Sequence, residues 1–207
     1  MKRKLLIWSF GNADIYYQNQ LLEYSDDPDF EWLDFFWRTE KILEQFEKYQ
    51  DKISFKMLDE FVEQQEKEVV YDFIGIYTKQ NSLYHRNDTH LLYPLLKKYR
   101  EYKSFQNVEF ALYDENYQIV LNDAFDQERI FNILVMDLEK IKKEIDLIWF
   151  DEVIVNITWG TKIMALLLTS VVKNLFKFDH IHLYYGLRDK KRNITNFISI
   201  DNFLKDF

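Results

Sequence analysis

Hydrophobic residues in this chain form two patterns that alternate along the sequence. One pattern is the compact apolar run, and the other is the recurrence of apolar residues at helical spacing. Compact apolar runs rich in β-branched and aromatic residues predict buried strands. These predicted strands cover residues 4–10, 68–78, 108–113, 148–157, 180–185 and 195–200. Between them, apolar residues recur at helical spacing, which predicts amphipathic helices. The predicted helices cover residues 31–50, 53–68, 88–102, 126–145 and 161–176, with Asp88 as the N-cap of the third.

The alternation of strands and helices over the whole length predicts an α/β fold with a Rossmann-like, mostly parallel sheet flanked by helices. No linker, internal repeat or low-complexity run divides the sequence, so residues 1–207 are expected to form a single domain. The charged run at residues 188–192 is too short for a linker and is predicted to be a hairpin or loop between the last two strands.

The composition of the chain limits the kinds of molecule that it is expected to bind. The net charge of −8 argues against a protein that coats duplex nucleic acid, although local positive charge can still hold a small anionic ligand. The absence of cysteine excludes disulfides and thiolate metal sites and fits the cytoplasm, and no cofactor is expected. The apolar run at residues 163–172 is about half a membrane span, so a buried helix is expected there, without membrane contact.

Two polar loops follow predicted strands at positions where chemistry is expected. In an open α/β sheet, ligands bind outside the carboxyl ends of the strands. One loop covers residues 9–14, and the other covers residues 156–162. Both loops are therefore candidate ligand-binding segments at the same edge of the predicted sheet.

The second loop carries the groups that hold phosphate at a helix N-terminus. Gly160 permits tight curvature of the backbone, and Thr161 can cap the following helix and donate to a phosphate oxygen. Lys162 supplies a cation, and Trp159 offers a face for stacking a base. A plain threonine-capped helix with a solvent-exposed lysine explains the same residues, and the spacing alone leaves both interpretations open.

The residues of both loops resemble a known family. The run Asn156-Ile157-Thr158-Trp159-Gly160-Thr161-Lys162, with Met164 after it, closely resembles the N-x-T-G-G-T-K-x-M signature of CARF (CRISPR-associated Rossmann fold) domains. The run Gly11-Asn12-Ala13-Asp14 resembles the G-N-T-D loop of CARF–HEPN ribonucleases of type III CRISPR systems. The resemblance covers essentially the whole chain, and its second motif is the more specific one.

This resemblance implies a homodimer that binds a cyclic oligoadenylate, either the tetra- or the hexa-adenylate, across its two-fold axis. The residues implied to face the phosphates and riboses are Asn156, Thr158, Gly160, Thr161 and Lys162. The residues implied to line the same cavity are Gly11, Asn12 and Asp14. An effector, fused or separate, would respond to the ligand. No metal site is implied.

Two positions depart from the family pattern. Trp159 stands where the family has glycine, so its ring either stacks on adenine or seals the pocket. Ala13 stands where relatives have threonine or serine. CARF ring nucleases use a hydroxyl in that loop, together with the motif lysine, to orient a ribose 2′-OH for attack on the next phosphate. Only Ser9 could replace that hydroxyl in this chain, acting with Lys162, and as a strand residue it is equally suited to face a helix.

Several other residues have simpler explanations. Arg86 and His90 resemble a HEPN ribonuclease motif, but three residues separate them where that motif has four to six, so the helix cap at Asp88 is preferred. His180 and His182 share a strand face without a nearby acidic cluster, which favours packing over metal binding. Trp37 falls off the apolar stripe of its helix, and an exposed side chain there would indicate a partner surface.

The leading hypothesis is a cyclic oligoadenylate sensor in type III CRISPR antiviral signalling. The alternative is a metal-independent ring nuclease that leaves linear products with 2′,3′-cyclic phosphate ends. A dinucleotide-binding enzyme is less favoured because no G-x-G-x-x-G motif follows the first strand. The residue Ala13 favours binding without fast cleavage, but neither hypothesis is settled by the sequence.

Overall fold

The computed structural model describes most of the chain. The described residues are 2–17, 20–21, 27–30, 33–65, 68–79, 88–103, 108–111, 117–122, 126–145, 150–158, 162–176, 181–189 and 194–200. The strands are β1 (Lys2–Ser9), β2 (Tyr16–Tyr17), β3 (Gln20–Leu21), β4 (Ile53–Ser54), β5 (Val69–Thr78), β6 (Val108–Ala111), β7 (Ile119–Leu121), β8 (Glu152–Asn156), β9 (Ile181–Asp189) and β10 (Ile194–Ser199). The helices are α1 (Phe35–Glu44), α2 (Phe46–Tyr49), α3 (Lys56–Gln64), α4 (Leu92–Tyr102), α5 (Gln127–Ile145) and α6 (Lys162–Leu175).

The central sheet has the order β10-β9-β8-β1-β5-β6, and β7 also pairs with β5. All of its described strand pairs are parallel except the pair of β9 with β10. The strands β1, β5 and β8 are buried on both faces, as continuous apolar runs require. The prediction of a Rossmann-like, mostly parallel α/β sheet flanked by helices is confirmed.

Each face of the sheet carries a core of its own. Residues of β1 alternate between the two cores, with Leu6 and Trp8 on one side and Leu5 and Ile7 on the other. The first core is rich in aromatic rings and packs against α1, α3 and α4, while the second is aliphatic and packs against α5 and α6. Strand β1 is therefore central to the packing, because it contributes side chains to both cores.

Some helix predictions were too long. The predicted helix at residues 31–50 divides at Gln45, whose backbone leaves the helical region at φ −113° and ψ 39°, into α1 and α2. The Asp34 carboxylate caps α1 by accepting from the Trp37 amide at 3.1 Å. The predicted helix at residues 53–68 starts only at Lys56, because Ile53 and its neighbour pair with β2. The short sheet β3-β2-β4 and the strand β7 were not predicted.

The prediction that Asp88 caps α4 is wrong. The helix begins at Leu92, its N-cap residue is Leu91, and that residue makes no side-chain cap. The Asp88 carboxylate instead contacts the His90 imidazole. Pro94 is the third residue of the helix, where its missing N–H costs no helical hydrogen bond.

The arrangement of the strands around residues 188–192 agrees with the predicted hairpin. Strands β9 and β10 are antiparallel neighbours, with Asp189 opposite Ile194, and residues 190–193 lie outside the described part of the chain. Trp37, which falls off the apolar stripe of its helix, is 46% exposed. No helix among the described residues is long and apolar enough to span a membrane.

Candidate functional site

The two candidate loops start at adjacent points on one edge of the sheet. Strand β1 lies between β5 and β8, so the ends of these three parallel strands meet at their carboxyl edge. Trp8 is paired with Asn156, the last residue of β8, and Ser9 is paired with Ile76 of β5. The topology therefore brings together the segments that the sequence separates by more than a hundred residues.

The loop after β1 folds into a short 3₁₀ helix at residues 12–14 and closes on itself. The Asp14 carboxylate accepts a hydrogen bond from the Gly11 amide at 2.7 Å and another from the Trp8 indole N–H at 3.1 Å. Its side chain is only 1% exposed. The Asp14 carboxylate therefore holds the loop together, and the implied place of Asp14 in the lining of the ligand cavity stays a prediction. Gly11, Asn12 and Ala13 remain partly exposed at the edge.

The interior position of Asp14 changes its acidity. Burial raises the pKa of the carboxyl group to about 7, and the hydrogen bonds from Gly11 and Trp8 oppose this rise. The loop that borders the candidate site is therefore built around a group that changes charge near neutral pH.

The described part of the loop after β8 is held in place by hydrogen bonds within the loop and to β9. The Asn156 side-chain oxygen accepts from the Thr158 amide at 3.0 Å and from the Thr158 hydroxyl at 2.5 Å. The same hydroxyl oxygen accepts from the Gly186 amide of β9 at 2.7 Å. A Cβ at Gly186 would come within 2.9 Å of the Thr195 side chain of β10 and within 3.2 Å of the Thr158 hydroxyl, so glycine suits this close packing.

Two buried polar atoms at this edge have no hydrogen-bond partner among the described residues. They are the hydroxyl oxygen of Ser9, which is 2% exposed, and the amide nitrogen of Asn156, which is 0% exposed. Ser9 continues the alternation of Leu5 and Ile7 and so lies on the face covered by α6, as its strand position allowed. Unsatisfied buried donors cost about 1–3 kcal/mol each, so they are typical of places where a ligand or water completes the bonding.

The helix α6 begins at this edge with Lys162, whose side chain is exposed. The N-terminal amides of a helix and a lysine in its first turn together favour an anion. The other members of the signature, Trp159, Gly160 and Thr161, lie outside the described residues. Of the predicted site residues, the structure therefore brings together Ser9, Gly11, Asn12, Ala13, Asn156, Thr158 and Lys162 along one edge.

The sequence interpretation missed an Asp88–His90 pair at the same edge. The backbone amides of Thr89 and His90 both donate to the Thr78 carbonyl, at 2.8 and 3.0 Å, which fastens the segment to the end of β5. The Asp88 side chain is 3% exposed and the His90 side chain 24%. The sequence signal that could have indicated this pair is an aspartate two residues before a histidine, shortly after a predicted strand.

A parallel α/β sheet with polar loops and a helix N-terminus at its carboxyl edge defines a Rossmann-like domain. The model of the Card1 CARF domain matches residues 97–203, just over half of the 207 residues, so this chain belongs to the CARF family. The matched region contains the loop after β8 and excludes the loop after β1. No curated protein matches the chain in sequence.

Two solved structures that align with this chain are those of Csm6 and Can2. Csm6 from Enterococcus italicus, bound to cyclic hexa-2′-fluoro-hexa-dAMP, aligns with a TM-score of 0.51 and 12% identity over 100% of this chain and 44% of Csm6. Can2 from Sulfobacillus thermosulfidooxidans, in complex with cyclic tetra-adenylate, aligns with a TM-score of 0.41 and 12% identity over 96% of this chain and 35% of Can2. The chain thus spans less than half the length of either protein, and the likeness to Csm6 supports the fold.

Proposed function

We propose that this protein is a cyclic oligoadenylate sensor of type III CRISPR antiviral signalling and that residues 1–207 act as one ligand-binding domain. The observation that carries the proposal is the carboxyl edge of the sheet, where the buried donors of Ser9 and Asn156, without a partner among the described residues, end two neighbouring strands on opposite faces. A ligand that covers these strand ends and is rich in phosphate and ribose oxygens can supply acceptors on both faces. The cyclic ligands bound by Csm6 and Can2 belong to this chemical class.

The charge distribution supports an anionic ligand at this edge. The chain carries a net charge of −8, so a polyanion needs a local cation and aligned amides to bind. Lys162, at the start of α6, supplies a cation at the position of the family's motif lysine. Because β1 and β8 are adjacent, the same ligand can also reach the Gly11–Ala13 backbone.

The outer surface of α6 supports assembly as a homodimer. Residues 163–172 contain no charged side chain, although Leu166 is 72% exposed and Ser170 is also exposed. Lys162, Leu166 and Ser170 are spaced four residues apart and form one exposed stripe, the α6 stripe. An exposed leucine in the middle of this stripe, on a helix without charge from residue 163 to residue 172, fits packing against a second copy of the chain. Isologous packing there would place both copies of Lys162 near one two-fold axis and one ligand.

A second candidate function is cleavage of the same ligand without a metal. The observation that favours it is the Asp88–His90 pair, because proton transfer by an imidazole promotes attack of a ribose 2′-OH on the adjacent phosphate. The products would be linear oligoadenylates with 2′,3′-cyclic phosphate ends. The sensor remains the primary proposal, since Ala13 supplies no hydroxyl in the loop where ring nucleases of the family have one.

The deciding experiment is a titration of the chain with labelled cyclic tetra- and hexa-adenylate in EDTA, at several salt concentrations. Lys162→Ala is expected to weaken binding about 10- to 100-fold, as loss of a charge-assisted contact does. The slope of log affinity against log salt should fall by about one. Lys173→Ala, in the last turn of the same helix, is the matched control and should leave binding unchanged. Failure of the wild-type chain to bind either ring contradicts the proposal.

The homodimer is tested separately by sedimentation. Leu166→Glu places a charge in the α6 stripe and is expected to give monomers that bind the ligand weakly. Met136→Glu on α5, whose side chain is 69% exposed in the wild type, is the matched control for adding a charge to an exposed apolar site. If Leu166→Glu still forms dimers, the proposed interface is contradicted. The proposal of ligand binding is not affected by that result.

A further inference from the structure

The strands β9 and β10 form a hairpin that extends beyond the end of β8. Asn156, the last residue of β8, is opposite Tyr184, and β9 continues for five more residues to Asp189. These residues pair with β10, from Ile198 back to Ile194. At about 3.3 Å per residue, the hairpin projects roughly 15 Å past the end of β8. It therefore borders one side of the candidate site.

Two hydrogen bonds connect this hairpin to the loop after β8. The Ile157 amide donates to the Tyr184 carbonyl at 3.0 Å, and the Gly186 amide donates to the Thr158 hydroxyl at 2.7 Å. Tyr185 lies between the two β9 residues that make these bonds. Its backbone is therefore held next to the loop that carries the family signature.

The side chain of Tyr185 lies on the face of the sheet that α6 covers. Side chains alternate along a strand, and Leu183, two residues earlier, is buried in the aliphatic core together with residues of α6. A helix that connects two neighbouring parallel strands packs back onto them, so α6 begins with Lys162 at the carboxyl edge of this same face. The ring of Tyr185 and the cation of Lys162 are therefore on the same side of the site.

The α6 side of the hairpin is apolar, whereas the solvent-facing side of an antiparallel strand pair is normally polar. On this hairpin face, Tyr185 is opposite Ile198 and Leu187 is opposite Asn196. The side chains of Tyr185, Leu187, Ile194 and Ile198 are 41–48% exposed. Asn196 adds one exposed carboxamide to the face. An apolar surface with a single well-placed polar group is typical of a site for a small organic ligand.

Neither polar nor aromatic groups of this face are engaged within the described part of the chain. The Tyr185 ring makes no contact with another described aromatic ring, and the Asn196 carboxamide makes no hydrogen bond to a described residue. Since Asn196 is opposite Leu187, it is the diagonal neighbour of Tyr185 on the adjacent strand. Diagonal neighbours are about 7–8 Å apart, so one planar group can contact both side chains.

We infer that the hairpin face binds an adenine base of the ligand, with Tyr185 stacking on the base and Asn196 hydrogen-bonding to its edge. This inference rests on the proposed binding of cyclic oligoadenylate at the carboxyl edge. An exposed aromatic ring stacks on a base because every base has a π-face. A carboxamide accepts from the N6 amino group of adenine and donates to the neighbouring ring nitrogen. The N-terminus of α6 and Lys162 bind phosphate beside this base site.

The two surfaces should therefore contribute differently to binding. Phosphate contacts release counterions and make the affinity depend on salt, while contacts to a base identify the base. Substitutions on the hairpin face should lower the affinity without changing its dependence on salt. The substitution Lys162→Ala should change both.

The first test is a titration of the full chain with labelled cyclic tetra- and hexa-adenylate at several salt concentrations. Tyr185→Ala should weaken binding about 5- to 100-fold with an unchanged salt slope. Tyr185→Phe keeps the ring and should bind within about threefold of the wild type. Tyr102→Ala is the matched control, since it removes a tyrosine of similar exposure, 46%, from the end of α4. It should bind like the wild type.

A modified ring tests the contact to the edge of the base. Purine riboside lacks the N6 amino group of adenosine, so a cyclic tetranucleotide built from it should bind the wild type about 5- to 50-fold more weakly than cyclic tetra-adenylate. Asn196→Ala should bind the two rings equally, because the acceptor for the amino group is gone. Melting temperatures verify that each variant folds.

The outcomes separate this inference from the proposed function. Wild-type affinity in Tyr185→Ala overturns the inference, and so does loss of dimers in that variant, since the face would then be a subunit interface. Equal binding of the adenosine and purine-riboside rings by the wild type also overturns it, while the sensor proposal stands. A chain that binds neither cyclic tetra- nor hexa-adenylate overturns the proposed function itself.

Discussion

The two loops at the carboxyl edge use their polar side chains in opposite ways. After β1, the Asp14 carboxylate is buried and both of its oxygens accept hydrogen bonds from within the loop. After β8, the Asn156 oxygen is used to hold Thr158, but its amide nitrogen stays without a partner among the described residues. The first loop is therefore a closed structural unit, and the second has a buried donor that, under the proposed function, the ligand would satisfy. Substitutions in the first loop should change stability, and those in the second should change affinity.

The largest effect is expected from Asp14→Ala. It removes the acceptor for two buried donors, the Trp8 indole N–H and the Gly11 amide, and should lower the free energy of unfolding by roughly 2–5 kcal/mol. Asp14→Asn keeps one acceptor oxygen and should lose about half as much. Chemical denaturation of the three proteins measures this. If Asp14→Ala is as stable as the wild type, the loop does not depend on its carboxylate, and the contrast between the loops fails.

The pH dependence of stability tests the same carboxyl group. Its pKa rises from 3.8 in the unfolded chain to about 7 in the folded protein, so the folded state binds the proton more tightly. The contribution is therefore fully present below about pH 4, declines as the pH rises towards 7, and is constant above that range. The decline is on the order of 2–4 kcal/mol.

Denaturation curves between pH 4 and 8 measure this decline, and Asp14→Asn should remove it. A smaller slope should persist in that variant because burial also raises the pKa of Asp59, whose carboxylate accepts from Tyr99 and Lys103. The Asp59→Asn variant is the matched control, since it should keep the Asp14 slope. Identical slopes in the wild type and in Asp14→Asn would show that another group governs the pH response.

A smaller effect is expected at the second loop, and it should appear in binding. Asn156→Ala removes the unpartnered amide and frees Thr158, so the affinity for cyclic oligoadenylate should fall about 5- to 30-fold, which corresponds to about 1–2 kcal/mol. Ligand titration measures the affinity. Asp14→Asn is the control, because its carboxylate faces the loop interior and its affinity should stay close to that of the wild type. A larger loss of affinity in Asp14→Asn than in Asn156→Ala would reverse the roles of the loops.

The sequence predicted the strands that end at this edge. Strands β1, β5 and β8 are continuous apolar runs, and such runs can be recognised from the local sequence alone. It did not predict β7 or the sheet β3-β2-β4, since strands of two or three residues are too short to show a period. It also assigned Asp88 to a cap, because a carboxylate before a helix favours that role locally. Pairing of Asp88 with His90 and burial of Asp14 against Trp8 depend on tertiary packing, which periodicity does not encode.

The smallest change in stability is expected for Ala13→Ser, at a partly exposed position of the closed loop. A serine there should alter the free energy of unfolding by less than about 0.5 kcal/mol, as surface substitutions do. It restores the hydroxyl that ring nucleases of the family have at this position. A hydroxyl near the scissile phosphate stabilises charge in the transition state, so cleavage of the bound ring should accelerate about tenfold with affinity unchanged. Single-turnover chromatography measures the rate, and Ala13→Val, which adds side-chain bulk without a hydroxyl, is the control. Equal rates in both variants would mean that the loop after β1 contributes backbone shape alone, and that the chemistry of the site belongs to the loop after β8 and to the end of β5.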